Sequence, residues 1–237
     1  LNGATSETSP RYPDDSNWQS MAAYVSLQSK LAANLSLQLG LRYNHILLYA
    51  NYDNPFYDFP FIESDINTGA LTGSVGFNWQ ASEILGWRFN LSTAFRAPNI
   101  DDVGKIFDSE PGSVVLPNPD LKPEYSYNLE LGSEIKLLKK LKVSANVFGT
   151  FLTNALTVQN TSFNGEDSIL YEGTYSQVIT TTNANRAYVM GVEGVLSGNI
   201  GKYFNVYSTI NFTYGRILTD SIPYPLDHIP PIFGKVS

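Results

Sequence analysis

The stretch from Asn34 to Asn44 reads NLSLQLGLRYN and decides the fold of this chain. Its odd positions, Leu35 to Tyr43, are all apolar, whereas its even positions, beginning with Ser36, are small or polar. Such alternation predicts a β-strand with one apolar and one polar face, because successive side chains of a strand point to opposite sides. The polar face is built from Ser, Gln, Gly, Arg and Asn rather than from many Lys and Glu residues.

The same alternation recurs along the chain and predicts about eight strands. The predicted segments are 17–30, 34–44, 71–80, 87–96, 125–135, 141–153, 186–198 and 204–214. They are long, since a typical strand has about 5 or 6 residues. About 10 residues at roughly 3.3 Å each, tilted near 45°, project to about 23 Å, close to the apolar band of about 25 Å of an outer-membrane barrel.

Short and long connections alternate between these segments. The short ones lie at 31–33, 81–85, 138–139 and 199–201, and the long ones at 51–69, 97–123 and 154–185. In an up-and-down antiparallel sheet, alternate connections lie at opposite ends. The pattern therefore predicts an all-β fold, a transmembrane antiparallel up-and-down β-barrel, with short turns at one end and long loops at the other.

Aromatic residues are placed where two membrane interfaces would lie. One predicted girdle, beside the short turns, contains Trp79, Trp87 and Tyr203. The other, near the long loops, contains Trp18, Tyr43, Phe95, Tyr125, Phe151 and Tyr214. Two such girdles are typical of membrane barrels.

Composition and motifs exclude several function classes. The net charge of -7 argues against nucleic-acid binding, which needs a surplus of Lys and Arg. The absence of cysteine excludes thiol catalysis and thiolate-bound metals. No hydrolase, metalloprotease, nucleotide-binding or calcium-loop motif occurs, so we expect no enzyme, no cofactor and no metal site. His45 continues the apolar row of its strand and is interpreted as an interfacial residue.

Motifs in the second half of the chain are more specific than the alternation. They are FRAPN at 95–99, NPDLKPE at 118–124, YNLELG at 127–132, NRAYVMGVE at 185–193 and HIPP at 228–231, with GLRYN at 40–44 ahead of them. In this order they resemble the barrel of TonB-dependent outer-membrane receptors. The resemblance extends over roughly 190 residues.

The resemblance implies a larger protein than this chain. Family members have a 22-stranded barrel filled by an N-terminal plug, preceded by a segment that contacts the TonB complex. Residues 1–237 would then be a barrel segment of about eight strands, with the plug domain and the last strands absent from this chain. The chain starts without a signal peptide, which is a further reason to expect a fragment.

The resemblance also implies a function, which is energised import of a scarce nutrient chelate across the outer membrane of a Gram-negative-type bacterium. A ferric siderophore is the commonest ligand of such receptors, and the expected partners are that ligand, the TonB complex and outer-membrane lipid. Haem is less favoured because no histidine lies between FRAPN and NPDLKPE. Cobalamin and oligosaccharides stay open as alternatives.

Arg42 and Arg96 are the candidate site residues. Both lie on the polar face by parity, where a guanidinium binds an anionic ligand or a carboxylate of the plug. The remaining motif residues are interpreted as structural. Pro98 ends its strand, and Asp120 is expected to form an Asx-turn with its own backbone.

Two other folds and functions compete with this interpretation. One is a self-contained eight-stranded outer-membrane barrel with an adhesive or structural role. The other is a soluble carbohydrate-binding β-sandwich, since sandwich strands alternate too. The alternating turn lengths argue against the sandwich.

Overall fold

The computed structural model of the chain describes residues 10–13, 15–53, 56–138, 140–200, 203–219, 222–226 and 229–237. It is a nearly all-β protein with one short helix among these residues. In chain order the elements are β1 (Asn17–Ala32), β2 (Leu35–Asn51), β3 (Glu63–Gln80), β4 (Leu85–Arg96), α1 (Ile100–Gly104), β5 (Phe107–Glu110), β6 (Ser113–Leu116), β7 (Glu124–Leu138), β8 (Leu141–Asn160), β9 (Ser168–Tyr171), β10 (Thr174–Ile200), β11 (Phe204–Leu218), β12 (Tyr224–Pro225) and β13 (Ile232–Val236). No helix in the described ranges is long and apolar enough to cross a membrane.

The eight long strands form one antiparallel meander. Their order in the sheet is β1-β2-β3-β4-β7-β8-β10-β11, and each pairs with its neighbour in register along most of its length. This confirms the eight predicted strands and their up-and-down order. The short connections all lie at one end of the sheet, called the turn end, and the long ones at the other, called the loop end.

The register joins the apolar residues of successive strands into continuous rows on one face. Leu39 lies opposite Val75, Val75 opposite Leu91, and Leu91 opposite Leu129. All but Val75 are among the exposed large hydrophobic side chains. We call this the outward face. A soluble protein rarely exposes so large a contiguous apolar surface, whereas the lipid-facing side of a membrane barrel is built this way.

The opposite face, called the polar face, is built from the alternate residues. Along one row, Gln38 lies opposite Gly76, Gly76 opposite Asn90, and Asn90 opposite Glu130. Amides, hydroxyls and carboxylates here need water or polar partners, because an unpaired buried polar group is costly. The polar face therefore suits the interior of a barrel.

The aromatic girdles are present, with one correction. Trp79 lies opposite Trp87 near the turn end, and Phe95 lies opposite Tyr125 near the loop end with ring centroids 5.3 Å apart. Trp18 does not belong to the outward girdle. It lies opposite Leu48, which is buried on the inner side of the sheet, so the prediction for Trp18 was wrong.

The sheet remains open within the described residues. β1 pairs only with β2, and β11 is followed by the short strands β12 and β13 rather than by β1. One twisted sheet is present instead of two packed sheets, so the β-sandwich alternative was wrong. The small closed barrel is not what the strand pairing forms either.

The long connections are more ordered than predicted. β8 continues to Asn160 and β10 already begins at Thr174, inside the segment 154–185 that was expected to be a loop. Beyond Asn154, whose φ is 53°, these two strands continue past the ends of β4 and β7. β6 pairs with β10 in parallel, which ties the connection between β4 and β7 to the same structure. We call the described residues of 52–62, 97–123 and 155–184 the loop cap.

The hydrophobic core lies at the loop end. Two clusters of buried residues fill the loop cap and the strand ends beneath it, and a third lies beside them under β11. Ile46, Leu48 and Ala50 belong to the inner row of β2, which changes from polar to apolar where the cap covers it. The cap is therefore a packed part of the fold with a core of its own.

Candidate functional site: the polar face and the loop cap

A cavity of about 340 Å³ opens on the polar face near the middle of the sheet. Its wall carries one guanidinium, from Arg88, and two carboxylates, from Glu130 and Glu193. Glycine supplies part of the space, since a Cβ at Gly132 would lie 3.3 Å from the amide oxygen of Asn146. None of the three charged groups forms an ion pair with another described residue. The wall can therefore bind charged or strongly polar groups presented from the interior.

Hydrogen bonds hold one of these carboxylates in place. The Asn128 side-chain amide donates to Glu130 Oε1 at 2.7 Å, and the Thr150 hydroxyl donates to Asn128 Oδ1 at 2.8 Å. The chain runs across β7 and β8 on the polar face. A fixed carboxylate binds a cationic partner at a smaller entropic cost than a mobile one.

The FRAPN motif starts the loop cap by forming a helix cap. Asn99 is the N-cap of α1, and its side chain accepts a hydrogen bond from the Asp102 backbone N–H at 3.0 Å. The Asp102 carboxylate accepts in return from the Asn99 N–H at 3.0 Å. The Arg96 guanidinium donates to both oxygens of Asp102 at 2.8 Å. The motif therefore fixes the direction in which the chain leaves β4.

The NPDLKPE motif attaches the cap to β10. The Asn118 side chain donates to the Thr181 carbonyl at 2.8 Å, and Asn183 exchanges two 2.8 Å hydrogen bonds with the backbone of Lys122. Leu121 is buried in the cap core. The Asx-turn of this motif is made by Asn118, which accepts from the Asp120 N–H, so its assignment to Asp120 was wrong.

Aromatic rings pack together across three segments of the cap. Tyr57 and Phe59 contact Phe163, with ring centroids 6.5 and 5.7 Å away, and Tyr57 stacks on Tyr171 at 6.5 Å. Burial raises the pKa of the Tyr57 phenol, and the neighbouring Tyr171 and Glu172 raise it further. The connection β2–β3 is thus held against the β9 hairpin by stacked and edge-on rings.

One tyrosine hydroxyl is enclosed in the cap core. Tyr52 is 5% exposed, and its hydroxyl donates to the Val103 carbonyl of α1 at 2.7 Å. Burial raises the pKa of Tyr52 well above its usual value, while a hydrogen bond with Ser64 opposes the shift. This bond joins the end of β2 to the helix that follows β4.

The outer surface of the cap presents apolar side chains to the surroundings. Tyr175 and Leu170 lie opposite each other on the β9–β10 hairpin and are 77% and 58% exposed. Ile62 and Phe56 are exposed on the neighbouring connection. Exposed aromatic and aliphatic residues on a rigid support are common at recognition surfaces.

The two predicted site residues lie on the polar face but are not brought together. Arg42 on β2 donates to Asn44 Oδ1 from Nε at 3.1 Å and from Nη2 at 2.9 Å. Arg96 lies at the end of β4, beyond the intervening β3, and is paired with Asp102. Its side chain is still 48% exposed. Contact of either arginine with a ligand or a plug stays a prediction.

Sequence reasoning missed the charged residues of the polar cavity as a site. Arg88, Glu130 and Glu193 are far apart in sequence, and only the strand register places them on one wall. Their parity was the available signal, because each occupies a polar-face position in a strongly alternating strand.

The histidines give no support to a metal site. The Tyr43 hydroxyl lies 3.2 Å from His45 Nδ1, and the two rings stack on the outward face near the loop end. His228, the first residue of the HIPP motif, lies outside the described residues. Within the described ranges no group of three or more His, Cys, Asp or Glu residues could hold a metal ion.

Comparison with known proteins gives the family. The family model of TonB dependent receptor-like β-barrels matches residues 1–237. A Haemophilus influenzae protein described as a probable hemoglobin and hemoglobin-haptoglobin-binding protein is 27% identical over 176 residues, which are 67% of this chain and 16% of that protein.

Solved structures share the fold. The Serratia marcescens hemophore receptor HasR, in complex with its hemophore HasA and heme, aligns with a TM-score of 0.69 and 17% identity over 93% of this chain and 41% of that one. The copper transporter OprC aligns with a TM-score of 0.72 and 18% identity over 94% and 31%. The alcaligin receptor FauA of Bordetella pertussis aligns with a TM-score of 0.59 and 19% identity over 93% and 34%.

These relatives are receptors and transporters, and this chain spans less than half of the length of each. The structure and the family match agree on a membrane-barrel architecture. The structure has eight long antiparallel strands with an apolar outward face and a polar inner face, and the family model matches the whole length. The chain therefore belongs to the family of TonB-dependent receptor β-barrels.

Proposed function

We propose that this chain is part of the barrel wall of an outer-membrane receptor that imports a ferric siderophore with energy from the TonB complex. The observation that carries the proposal is the combination of a charged polar wall around Arg88 with a packed cap at the loop end of the same sheet. A barrel that transports needs both an interior that tolerates polar groups and an outer surface that selects a ligand.

In this proposal the cap makes the first contact with the ligand. Tyr175 and Leu170 supply apolar contact on the β9–β10 hairpin. Arg96 supplies a partly exposed cation whose position is fixed by Asp102. A ferric siderophore combines apolar or aromatic surface with anionic oxygen ligands, so it suits rings beside a guanidinium.

In the next step, passage of the ligand through the barrel, the polar wall would hold the plug. A plug supplied by the rest of the protein would dock against the polar face, with its cationic side chains near Glu130 and Glu193 and its carboxylates near Arg88. The TonB complex would act on that plug and open a path along the wall. The whole-protein partners, the plug and the remaining strands are part of this proposal.

Haem delivered by a carrier protein is a second candidate ligand. The similarity of this chain to a probable hemoglobin-binding protein and to a hemophore receptor favours this ligand. The exposed Tyr175 and Leu170 also suit a protein surface. The two ligands are distinguished by the iron source whose uptake depends on the gene.

The test is uptake of ⁵⁵Fe by cells that lack the gene and carry it on a plasmid, with and without tonB. Each siderophore of a panel, and haem-loaded hemoglobin, would be supplied as the only iron source. We expect uptake of at least one iron source to need both the gene and tonB. Uptake of every source that is unchanged by loss of the gene would overturn the proposal.

A further inference from the structure

Two arginines lie on the outward face, where lipid is expected, rather than on the polar face. Arg186 pairs in register with Thr153 on one side and Leu218 on the other. Arg216 pairs with Tyr188. The intervening Ala187 and Ile217 are 0% and 1% exposed because they lie on the inner side under the cap. The alternation therefore places both arginines outward.

The two arginines are diagonal neighbours on adjacent strands. Arg216 occupies the row next to that of Arg186 on the neighbouring strand, since Tyr188 lies opposite Arg216 and Arg186 lies opposite Leu218. Residues in this diagonal relation have Cα atoms about 7–8 Å apart. Two flexible arginine side chains at that spacing can reach one shared anion.

Two tyrosine rings near the loop end lie beside Arg216. The Arg216 guanidinium lies 4.3 Å from the centroid of the Tyr214 ring, and Tyr188 and Tyr214 have centroids 6.2 Å apart. A hydrogen bond from Arg216 Nη1 to the Gly215 carbonyl at 3.0 Å uses one of its five donors. The ring therefore orients the guanidinium and leaves most of its donors free.

Among the residues that the structure describes, no carboxylate pairs with Arg186 or Arg216. Arg186 is exposed and makes no hydrogen bond or ion pair to a described residue. The outward neighbours in these two rows, Thr153, Phe151, Tyr125 and Tyr127, are uncharged. An unpaired arginine facing hydrocarbon is costly, whereas most of this cost disappears near the interface, where headgroup phosphates are available.

From this arrangement we propose that Arg186 and Arg216 form a binding site for the phosphate group of an outer-leaflet lipid. The inference rests on the membrane position in the proposed function, with the loop end on the outside. It does not depend on the imported ligand. Guanidinium groups bind phosphate oxygens in a bidentate manner, and the acyl chains would lie along the apolar rows below, beside Tyr214 and Met190.

The test uses the purified full-length protein, the double variant Arg186→Gln/Arg216→Gln, and Lys30→Gln/Lys136→Gln as a control that removes the same two charges from the polar face. Binding of lipid A with its phosphates and of dephosphorylated lipid A is measured by native mass spectrometry from detergent. We expect the native protein to prefer the phosphorylated lipid by about tenfold, and the double variant to lose this preference. The control is expected to keep it.

Three outcomes would overturn the inference. They are equal binding of the two lipids by the native protein, an unchanged preference in the double variant, and full displacement of the lipid by millimolar inorganic phosphate, which would indicate a free-anion site. Circular dichroism checks that the double variant keeps its β-structure. The ⁵⁵Fe uptake assay does not enter this measurement, so failure here leaves the import proposal standing, and failure of import leaves this site standing.

Discussion

Asp102 connects three parts of the FRAPN turn at the scale of single residues. It accepts hydrogen bonds from Arg96 and from the Asn99 N–H, and it forms the capping box of α1. Capping interactions of this kind contribute about 1 kcal/mol. The residue thus holds both the helix and the candidate ligand-binding arginine.

We predict that Asp102→Ala destabilises the start of the cap by about 1 kcal/mol and accelerates amide hydrogen exchange in residues 99–106 by about fivefold. The control is Asp120→Ala, which removes an exposed carboxylate from the same cap. Exchange rates are measured by mass spectrometry on the full-length protein. Equal effects of the two substitutions would contradict the anchoring role of Asp102.

A second prediction concerns the enclosed hydroxyl of Tyr52. Tyr52→Phe keeps the ring, which packs edge-on against Phe61 at 4.9 Å, but removes the hydroxyl that donates to the buried Val103 carbonyl. This carbonyl keeps its second hydrogen bond, from the Asn118 N–H at 3.1 Å. We expect a loss of roughly 0.5–1.5 kcal/mol in the local stability of the cap, which is the usual net contribution of one hydrogen bond. Limited proteolysis of the cap measures it, with Tyr175→Phe, at a 77% exposed position, as the control.

The same residue predicts the pH dependence of the cap. Burial raises the pKa of Tyr52 above its usual value of 10.0, so the folded cap keeps the phenol protonated when the unfolded chain has already lost the proton. Its contribution to stability is therefore complete below pH 10 and declines as the pH rises further. Tyr52→Phe should show a shallower decline above pH 10 than the native protein. Parallel declines of the two proteins would contradict this assignment.

Strand β6 shows how the cap is held together at the scale of elements. It enters the sheet as a parallel neighbour of β10, with Val114 opposite Val178 and both side chains 0% exposed. The contact lies in the cap core with Ile106 and Leu116. The connection between β4 and β7 is thereby attached to β10 at the loop end.

We predict that Val114→Asp detaches the β5–β6 hairpin from β10, because a buried unpaired carboxylate costs more than about 3 kcal/mol. Proteases should then cut residues 105–117, while far-ultraviolet circular dichroism shows that the long strands persist. Val158→Asp, at a site that is 50% exposed, provides the matched control. A cap that resists proteolysis equally in both variants would argue against the β6–β10 contact.

The long strands were predictable from the sequence because lipid and interior impose opposite demands on their two faces. Leu35 to Tyr43 and Ser36 to Asn44 show this without exception. The strands of the cap were not predictable from the sequence. A strand that is covered on both faces does not need alternating apolar and polar residues. In Thr174–Ile200 the stretch around Val178 and Thr180 is buried by β6 and β8 together, so its pattern resembled a loop.

The site residues divide in the same way. The polar-face positions of Arg42 and Arg96 were predictable because parity and motif both indicated them, and the structure places both on that face. Their contact with a ligand or a plug stays a prediction. The capping box of Asn99 with Asp102 could have been expected from the spacing of these two residues. The cavity around Arg88 depends on register between distant strands, and no local pattern contains that information.

At the scale of the whole molecule, the chain is an open sheet with two different faces and one folded end. Among the residues that the structure describes, the edge strand β1 pairs with β2 alone, and an unpaired edge in lipid is costly because its backbone groups lack partners. We therefore infer that β1 and the β11 side pair with further strands of the barrel. The loop cap is then one sector of a larger ring of loops.

The assignment of the two faces is tested most directly by electron paramagnetic resonance of single spin labels along β2. Labels are placed at Leu35, Leu37, Leu39 and Leu41 on the outward face and at Ser36, Gln38 and Arg42 on the polar face of the full-length protein in lipid bilayers. We expect the first four labels to be relaxed by oxygen dissolved in the bilayer and the other three by a water-soluble nickel chelate. Water accessibility at the four leucine positions, or no difference between the rows, would contradict it.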